Sequence, residues 1–248
     1  MSLSSNTLIH LTNEKEALIG ILKEGFKIKY CLEHLTTIKG TVNAAYPIVS
    51  FSDIPLSQLG AQIDSYGNYG IGLKKGWAKE NGLNPVLYLD DNSSLGATIR
   101  TEFREMVVSS EKGELDNKFK EIAVEILGYC KNYEGKLNTK KVKIEKYRFS
   151  DEREWRYLAN KEELENNPSM IVGKDYNTTE KKDKANSKIK DIKLNFKAED
   201  INYIFVQNEN EIEEIINIIR AYNSNQPFKN VERLISRILT TDQIKTDI

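Results

Sequence analysis

The segment SDEREWRYLAN, residues 150–160, carries the side chains best suited to chemistry in this sequence. Glu152, Glu154 and Arg156 stand at every second position, and Trp155 lies between the last two. In a β-strand this spacing places two carboxylates and a guanidinium on one face and the aromatic ring on the other. A carboxylate held on a rigid strand can stabilise a developing cation or hydrogen-bond a sugar hydroxyl, which makes Glu154 and Glu152 candidate catalytic groups.

The same alternation also fits a solvated edge strand, in which the three charges pair in water and Trp155 enters the core. The spacing alone leaves both interpretations open.

His10 is the second candidate, because it interrupts the apolar segment LIHLT. Thr12 follows two residues later and shares its face in a strand. The pair could reach into a ligand cleft. Alternatively, His10 is a buried imidazole bonded to a backbone carbonyl.

Four further polar residues could line a cleft. Ser52 and Ser50 flank Phe51 on the opposite face of a strand, although a structural turn would explain them equally well. Tyr66 and Tyr69 could stack on a planar ring or simply pack. The glycines of SYGNYGIGL do not form a dinucleotide fingerprint, since no helix N-terminus follows them, and they indicate a bulge or a close backbone approach.

The composition excludes several classes of protein. The 248 residues carry 36 Lys and Arg against 37 Asp and Glu, so no overall charge points to nucleic acid or membrane. Neither a membrane-spanning segment nor a signal peptide is apparent, which predicts a cytoplasmic location. The two cysteines, Cys31 and Cys130, have no metal-ligand spacing and are expected to be reduced structural thiols.

Periodicity predicts clustered strands without regular βαβ alternation, which favours an α+β fold. A helix is expected from Asn13 to Gly25, helical structure between residues 95 and 131, an amphipathic helix in NEIEEIINIIRAY and a short helix in VERLISRIL. The predicted strands are Ile9–Leu11, Ile48–Ser52, Tyr69–Leu73, Val86–Leu89, Val142–Glu145, Arg153–Leu158 and Tyr203–Val206.

No internal repeat or composition break divides the chain, so residues 1–248 are expected to form a single α+β domain. Residues 168–190 are polar and rich in lysine and predict a mobile loop. Residues 227–248 predict a C-terminal helical extension.

The segments LIHLTNEKEALIGILKEGF, YPIVSFSDIPLSQ, YGNYGIGLKKGWAKENGLNPVLYL and DEREWRY, in this order, resemble the AbiGi family of bacterial abortive-infection proteins, which act in phage defence. The resemblance covers roughly residues 7–158. Proteins of this family are labelled antitoxins, and the resemblance implies a cognate partner protein, either a toxin or an antitoxin.

More distantly, an early His-x-Thr, a Phe-Ser strand, a Tyr…Gly strand and Glu-Trp-Arg resemble the ADP-ribosyltransferase fold, a split β-sheet core with flanking helices. This resemblance implies NAD as a substrate and transfer to a nucleic-acid or protein acceptor. The catalytic carboxylate would be Glu154, with Glu152 as the alternative. The residues that would contact NAD are His10, Thr12, Ser52 and Tyr66 or Tyr69.

Two functions follow from these resemblances. The chain is either an NAD-dependent ADP-ribosyltransferase-like effector or a catalytically silent antitoxin that binds a toxin. The first requires that Glu154 face a cleft shared with His10 and with at least one of Ser52, Tyr66 and Tyr69, while Trp155 is buried on the opposite face. We predict this arrangement, and its absence would favour the binding module.

Overall fold

The computed structural model describes residues 5–114, 116–139, 141–222 and 227–247. The termini of the expected domain, residues 1–4 and Ile248, therefore lie outside the described residues. The helices in the described part are α1 (Lys15–Glu24), α2 (Gly60–Tyr66), α3 (Lys75–Glu80), α4 (Ser94–Glu111), α5 (Asn117–Gly128), α6 (Lys161–Leu164), α7 (Thr179–Lys188), α8 (Ile212–Tyr222), α9 (Phe228–Ile235) and α10 (Thr241–Asp247).

The strands in the same part of the chain are β1 (Thr7–Thr12), β2 (Phe26–Lys27), β3 (Lys29–Thr37), β4 (Gly40–Ser52), β5 (Tyr69–Lys74), β6 (Asn84–Pro85), β7 (Leu87–Leu89), β8 (Cys130–Asn132), β9 (Glu134–Asn138), β10 (Lys143–Arg148), β11 (Glu154–Leu158), β12 (Ile171–Val172), β13 (Lys193–Leu194), β14 (Ile201–Val206) and β15 (Ile238–Thr240). The expected α+β class is confirmed.

One nine-stranded sheet organises the molecule. Its order is β15-β14-β5-β1-β4-β11-β6, and β3 and β12 also pair with β4. The pairs are antiparallel except for β14 with β15. The long strand β4 pairs with β3 through its first nine residues and with β1 at its last. This places β11 beside the end of β4, directly across from Ser50 and Ser52.

The register assigns each side chain to a face of the sheet. Phe51 and Trp155 are paired and lie on one face, over the largest apolar cluster, which also contains side chains of α1, α3, α8 and α9. Ser52 and Glu154 are paired and lie on the other face. That second face carries two apolar clusters, one with α4 and α5 and one with α2 and α10. Glu154 lies on β11, which pairs with β4 on one side and with β6 on the other.

The sheet contains one long strand that the sequence did not reveal. The region around His34 lies outside the predicted strands and helices, but Lys29–Thr37 forms β3 and pairs with β4 over nine residue pairs. The two strands form a hairpin closed by Ile38 and Lys39, with Gly40 at a φ of 107°. The seven expected strands are confirmed, with shifted ends.

The helices differ from prediction at their ends. The N-cap of α1 is Glu14 rather than Asn13, without a side-chain cap, whereas Gly25 does end the helix at a φ of 80°. The helical region 95–131 is two helices, α4 and α5, and Asp116 caps the second by accepting from the Lys118 N–H.

The prediction of a loop at residues 168–190 is wrong, because this segment is folded. It forms β12, a short 3₁₀ turn and α7. Tyr176 and Ile189 are buried in the main core. The Tyr176 hydroxyl donates to the Tyr30 carbonyl at 2.5 Å, and the Asn186 side chain accepts from the Tyr30 N–H at 2.8 Å. Two buried side chains and these hydrogen bonds to β3 hold the segment against the rest of the protein.

The C-terminal extension also differs in part. Residues 227–247 contain α9, which overlaps the helix expected in VERLISRIL, and also α10, but β15 lies between them and adds a parallel strand to the sheet beside β14. Among the helices of the described residues, none has the length and apolar content needed to cross a membrane.

Candidate functional site

Glu154 is the centre of a buried cluster of charges on the face of the sheet between α2 and α5. Its side chain is 4% exposed. One carboxylate oxygen accepts from the Ser50 hydroxyl and from Arg156 Nε, both at 2.6 Å. The other accepts from Lys131 Nζ at 2.7 Å. Both oxygens of Glu154 are therefore held by neighbouring donors of the protein.

Arg156 connects this carboxylate to β3. The guanidinium is fully buried, and it donates from Nη2 to Glu33 at 2.8 Å and from Nη1 to the Gly128 carbonyl at 2.7 Å. Arg156 is thus tied to β3, to the end of α5 and to Glu154 of its own strand. Although burial opposes the charged form, the two carboxylates raise the pKa of Arg156.

Glu152 belongs to the same cluster, although it is not part of the strand. Phe149–Glu152 form a 3₁₀ turn, and Arg153 follows in the left-handed region at a φ of 48°. Glu152 is 4% exposed, accepts from Lys131 Nζ at 2.6 Å and also accepts from the Tyr66 hydroxyl. The expected strand alternation of Glu152 with Glu154 is wrong, because the chain turns between them, but Lys131 holds the two carboxylates together.

Electrostatics favour the ionised forms of Glu154, Lys131 and Arg156. Burial alone would raise the pKa of Glu154, but the charges of Arg156 and Lys131 lower it well below its usual range. Burial opposes the charge on Lys131, and the two carboxylates raise the pKa of Lys131 well above its usual value. Burial and Glu152 raise the pKa of Tyr66. Glu154 is a fixed anion inside ion pairs, so it lacks the exposed oxygen that a substrate would have to meet.

His10 lies on the opposite face of the sheet. Ile9 pairs with Ser52, so the next residue, His10, faces the same side as Phe51. The His10 and Phe51 rings have centroids 5.7 Å apart, and Nδ1 of His10 lies 2.9 Å from the Ser50 carbonyl. Burial lowers the pKa of His10 despite this hydrogen bond. The alternative interpretation of His10, an imidazole bonded to a backbone carbonyl, matches this arrangement.

The other expected ligand contacts divide between the two faces. Thr12 pairs with Tyr69 on the face of His10. The Tyr69 hydroxyl donates to Glu211 at 2.9 Å. Ser52 shares the face of Glu154, and Tyr66 reaches Glu152 from the end of α2. The prediction of a cleft shared by Glu154 and His10 is therefore wrong, since the sheet itself separates them. Trp155 lies on the face opposite Glu154, as predicted, but it is partly buried rather than buried.

The close backbone approach expected at the glycines of β5 is present, although, contrary to expectation, a helix does follow them, since α3 begins directly after β5. A Cβ on Gly70 would lie 2.3 Å from the His10 carbonyl oxygen, so only glycine allows this approach of β5 to β1.

Lys131 and Glu33 complete the cluster, and the sequence analysis missed both. Glu33 lies outside the predicted strands, although the alternation in KYCLEHLTT followed by a Lys-Gly turn is a hairpin signal that could have located it. Lys131 lies in a strand of three residues, for which no local pattern exists. Among the described residues, no group of three or more His, Cys, Asp or Glu side chains could hold a metal ion.

Comparison with known proteins adds a second line of information. Residues 24–207 match the family model described as "Putative abortive phage resistance protein AbiGi, antitoxin". Over 223 residues the chain is 30% identical to the abortive phage resistance protein AbiGi of Lactococcus lactis subsp. cremoris, an alignment that covers 81% of this chain and 88% of the relative. No solved structure matches the chain, so the likeness to the ADP-ribosyltransferase fold stays a prediction.

Proposed function

Because the chain belongs to the AbiGi family of abortive phage resistance proteins, we propose that it is an antitoxin that neutralises a partner toxin by direct contact. The observation that carries this proposal is the position of His10 and Glu154 on opposite faces of the sheet. His10 and the charged residues around Glu154 bond to other groups inside the protein. We therefore expect the partner to bind the surface of the chain.

The competing proposal is ADP-ribosyl transfer from NAD. It needs an accessible carboxylate beside the ribose and a second polar group on the same side of the nucleotide. Glu154 is 4% exposed, and Arg156, Lys131 and Ser50 occupy its oxygens. A transferase would have to break this cluster before each turnover, and His10 would still lie behind the sheet.

An exposed apolar stripe on α5 supports the binding function. Ala123, Val124 and Leu127 bury one side of this helix against the sheet. Phe119, Ile122 and Ile126 follow the spacing i, i+3 and i+7 on another side and are 46%, 42% and 37% exposed. Apolar side chains aligned along a surface helix mark contact sites for other proteins. The stripe lies within the residues that match the family model.

The experiment combines a growth assay with an enzyme assay. The toxin candidate is the protein encoded next to this chain, and it is expressed in bacteria with and without the chain. We expect that the chain restores growth, that the two purified proteins elute together on size exclusion, and that the chain alone neither arrests growth nor releases nicotinamide from NAD.

Two outcomes would overturn the antitoxin. Growth arrest by the chain alone together with nicotinamide release would establish the transferase in its place. If the chain neither restores growth nor forms the complex, the proposed antitoxin function is wrong, and this result alone gives no support for an enzyme.

A further inference from the structure

The outer edge of β3 is closed by the protein at both of its ends. β3 bonds to β4 through the main-chain groups of its odd-numbered residues, from 29 to 37. The main-chain N–H groups of its even-numbered residues point to the outer edge. Near one end, the Ile28 N–H donates to the Ile192 carbonyl at 3.1 Å and the Tyr30 N–H to the Asn186 side chain at 2.8 Å. Past the other end, the Ile38 N–H donates to the Asp91 carbonyl at 2.8 Å.

Side chains imitate a neighbouring strand at two of these positions. The Asn132 amide accepts from the Thr36 N–H at 2.8 Å and donates to the Thr36 carbonyl at 2.7 Å. Tyr30 is closed in the same way by Asn186 and by the Tyr176 hydroxyl. Covering the edge of a strand in this way prevents the strand from pairing with another chain.

Leu32 and His34 form the gap between the two caps. Within the described part of the chain, no group bonds the outward N–H or carbonyl of either residue. Cys31 and His34 are exposed, and Leu32 and Glu33 are partly exposed, so the gap opens to solvent. Strand spacing makes this gap about 7 Å long between Leu32 and His34, which is room for one short stretch of extended chain.

Glu33 gives the gap its charge. Its side chain is 23% exposed and points to the face on which it pairs with Arg156. The cluster behind it contains three carboxylates, those of Glu33, Glu152 and Glu154, against the two cations Lys131 and Arg156. A residue placed directly opposite Glu33 in an added strand would share its face, and a cation there would offset the excess negative charge.

We propose that the edge of β3 at Leu32–His34 binds an extended segment of a partner protein by strand addition, with a lysine or arginine opposite Glu33. The main-chain groups select an extended backbone, as in other strand-addition complexes, and Glu33 selects the side chain. The proposal rests on the proposed function only in that the segment would belong to the toxin.

The test uses nuclear magnetic resonance and a model peptide. The probe is a five-residue peptide, Thr-Val-Lys-Val-Thr with blocked ends, and its variant has glutamate in place of the central lysine. We expect the lysine peptide to shift the amide signals of Leu32 and His34 and the glutamate peptide to bind at least about tenfold more weakly, a difference of about 1.4 kcal/mol.

Two controls separate backbone pairing from general contact. The substitution His34→Pro removes an outward N–H, leaves the main-chain bonds to β4 in place and loses the side-chain bond between His34 Nδ1 and Asn43. It should abolish binding, whereas His34→Val loses the same side-chain bond but keeps the N–H and should bind normally. An N-methylated form of the lysine peptide lacks the complementary donors and should not bind the unmodified protein. This second control is independent of whether the proline variant folds.

Four results would overturn the proposal. The first is that the amide signals of Leu32 and His34 do not change at millimolar lysine peptide. The second and third are that the N-methylated peptide binds as well as the lysine peptide, or that the lysine peptide binds His34→Pro as well as the unmodified protein. The fourth is that the chain forms a dimer that His34→Pro abolishes, which would show that the edge pairs with a second copy. If the His34→Pro variant still neutralises the toxin, the edge of β3 is not the toxin-binding site, but the proposed antitoxin function is unaffected. If the unmodified chain does not neutralise it, the antitoxin fails, and the peptide result still decides the edge.

Discussion

Glu154 and Glu145 each hold a lysine ammonium at 2.7 Å, but in opposite surroundings. The Glu154 side chain, paired with Lys131, is 4% exposed, and that of Glu145, paired with Lys136, is 84% exposed. Loss of one partner leaves an uncompensated charge only where water cannot replace it. The chain therefore contains a buried ion pair and a matched exposed reference.

We expect Glu154→Gln to destabilise the fold. The substitution keeps the size of the side chain and removes its charge, so Arg156 and Lys131 lose a shared partner in a buried site. Breaking a buried pair costs about 3–5 kcal/mol, and we expect the lower end because Glu33 and Glu152 remain. Calorimetry at pH 7 should show a Tm lowered by several degrees or more.

Glu145→Gln is the control for this experiment. Its lysine partner is solvated, so Tm should not change measurably. Equal shifts in the two variants would contradict the view that burial makes the Glu154 cluster a structural support.

The same carboxylate predicts how stability depends on pH. The pKa of Glu154 in the folded chain lies well below 4.5, its ordinary value. Its contribution is therefore complete above about pH 4.5 and is lost as the pH falls towards the folded value. Between pH 5 and pH 3, the Tm of the unmodified chain should fall more steeply than that of Glu154→Gln. Parallel curves would assign the acid sensitivity to other carboxylates.

The strands that the sequence located share a local signal. Segments such as LIHLT and INYIFVQ concentrate apolar and β-branched residues between polar boundaries, and both became strands of the central sheet. Local composition was sufficient there because burial of these side chains determines the strand wherever it pairs.

The candidate site was harder to predict, since it depends on which strands pair. The order His, Ser and Glu along the chain gives no information about faces, which follow from the pairing of Ile9 with Ser52 and of Ser52 with Glu154. A shift of one residue in either pairing would have brought His10 and Glu154 to the same side. Lys131, which joins the two carboxylates, comes from a strand of three residues that only tertiary contacts define.

Gly67→Ala tests whether the close approach of the end of α2 to Thr12 constrains the fold. Gly67 ends α2 at a φ of 139°, and a Cβ there would lie 2.1 Å from the Thr12 carbonyl oxygen. Both the backbone strain and the clash should lower the free energy of unfolding, by about 2 kcal/mol or more, as measured by urea denaturation. Gly76→Ala, in α3 with nothing within 4 Å of the new Cβ, should be neutral or stabilise by up to about 1 kcal/mol. Equal effects would mean that the approach of Gly67 to Thr12 does not constrain the fold.

The last prediction concerns the apolar stripe of α5. Phe119→Asp and Ile122→Asp each place a charge on a side chain that is more than 40% exposed, so Tm should remain nearly unchanged. If the toxin covers this stripe, each substitution buries an unpaired carboxylate in the interface and removes apolar contact. The Kd for the toxin, measured by calorimetric titration, should then rise by at least about 30-fold, equivalent to about 2 kcal/mol.

Glu125→Gln, on the exposed side of the same helix, should leave the Kd nearly unchanged. If both aspartate variants still form the complex with unaltered affinity, the toxin does not bind the apolar stripe of α5. Loss of affinity in Glu125→Gln as well would show that the helix acts through its charge rather than through its apolar stripe.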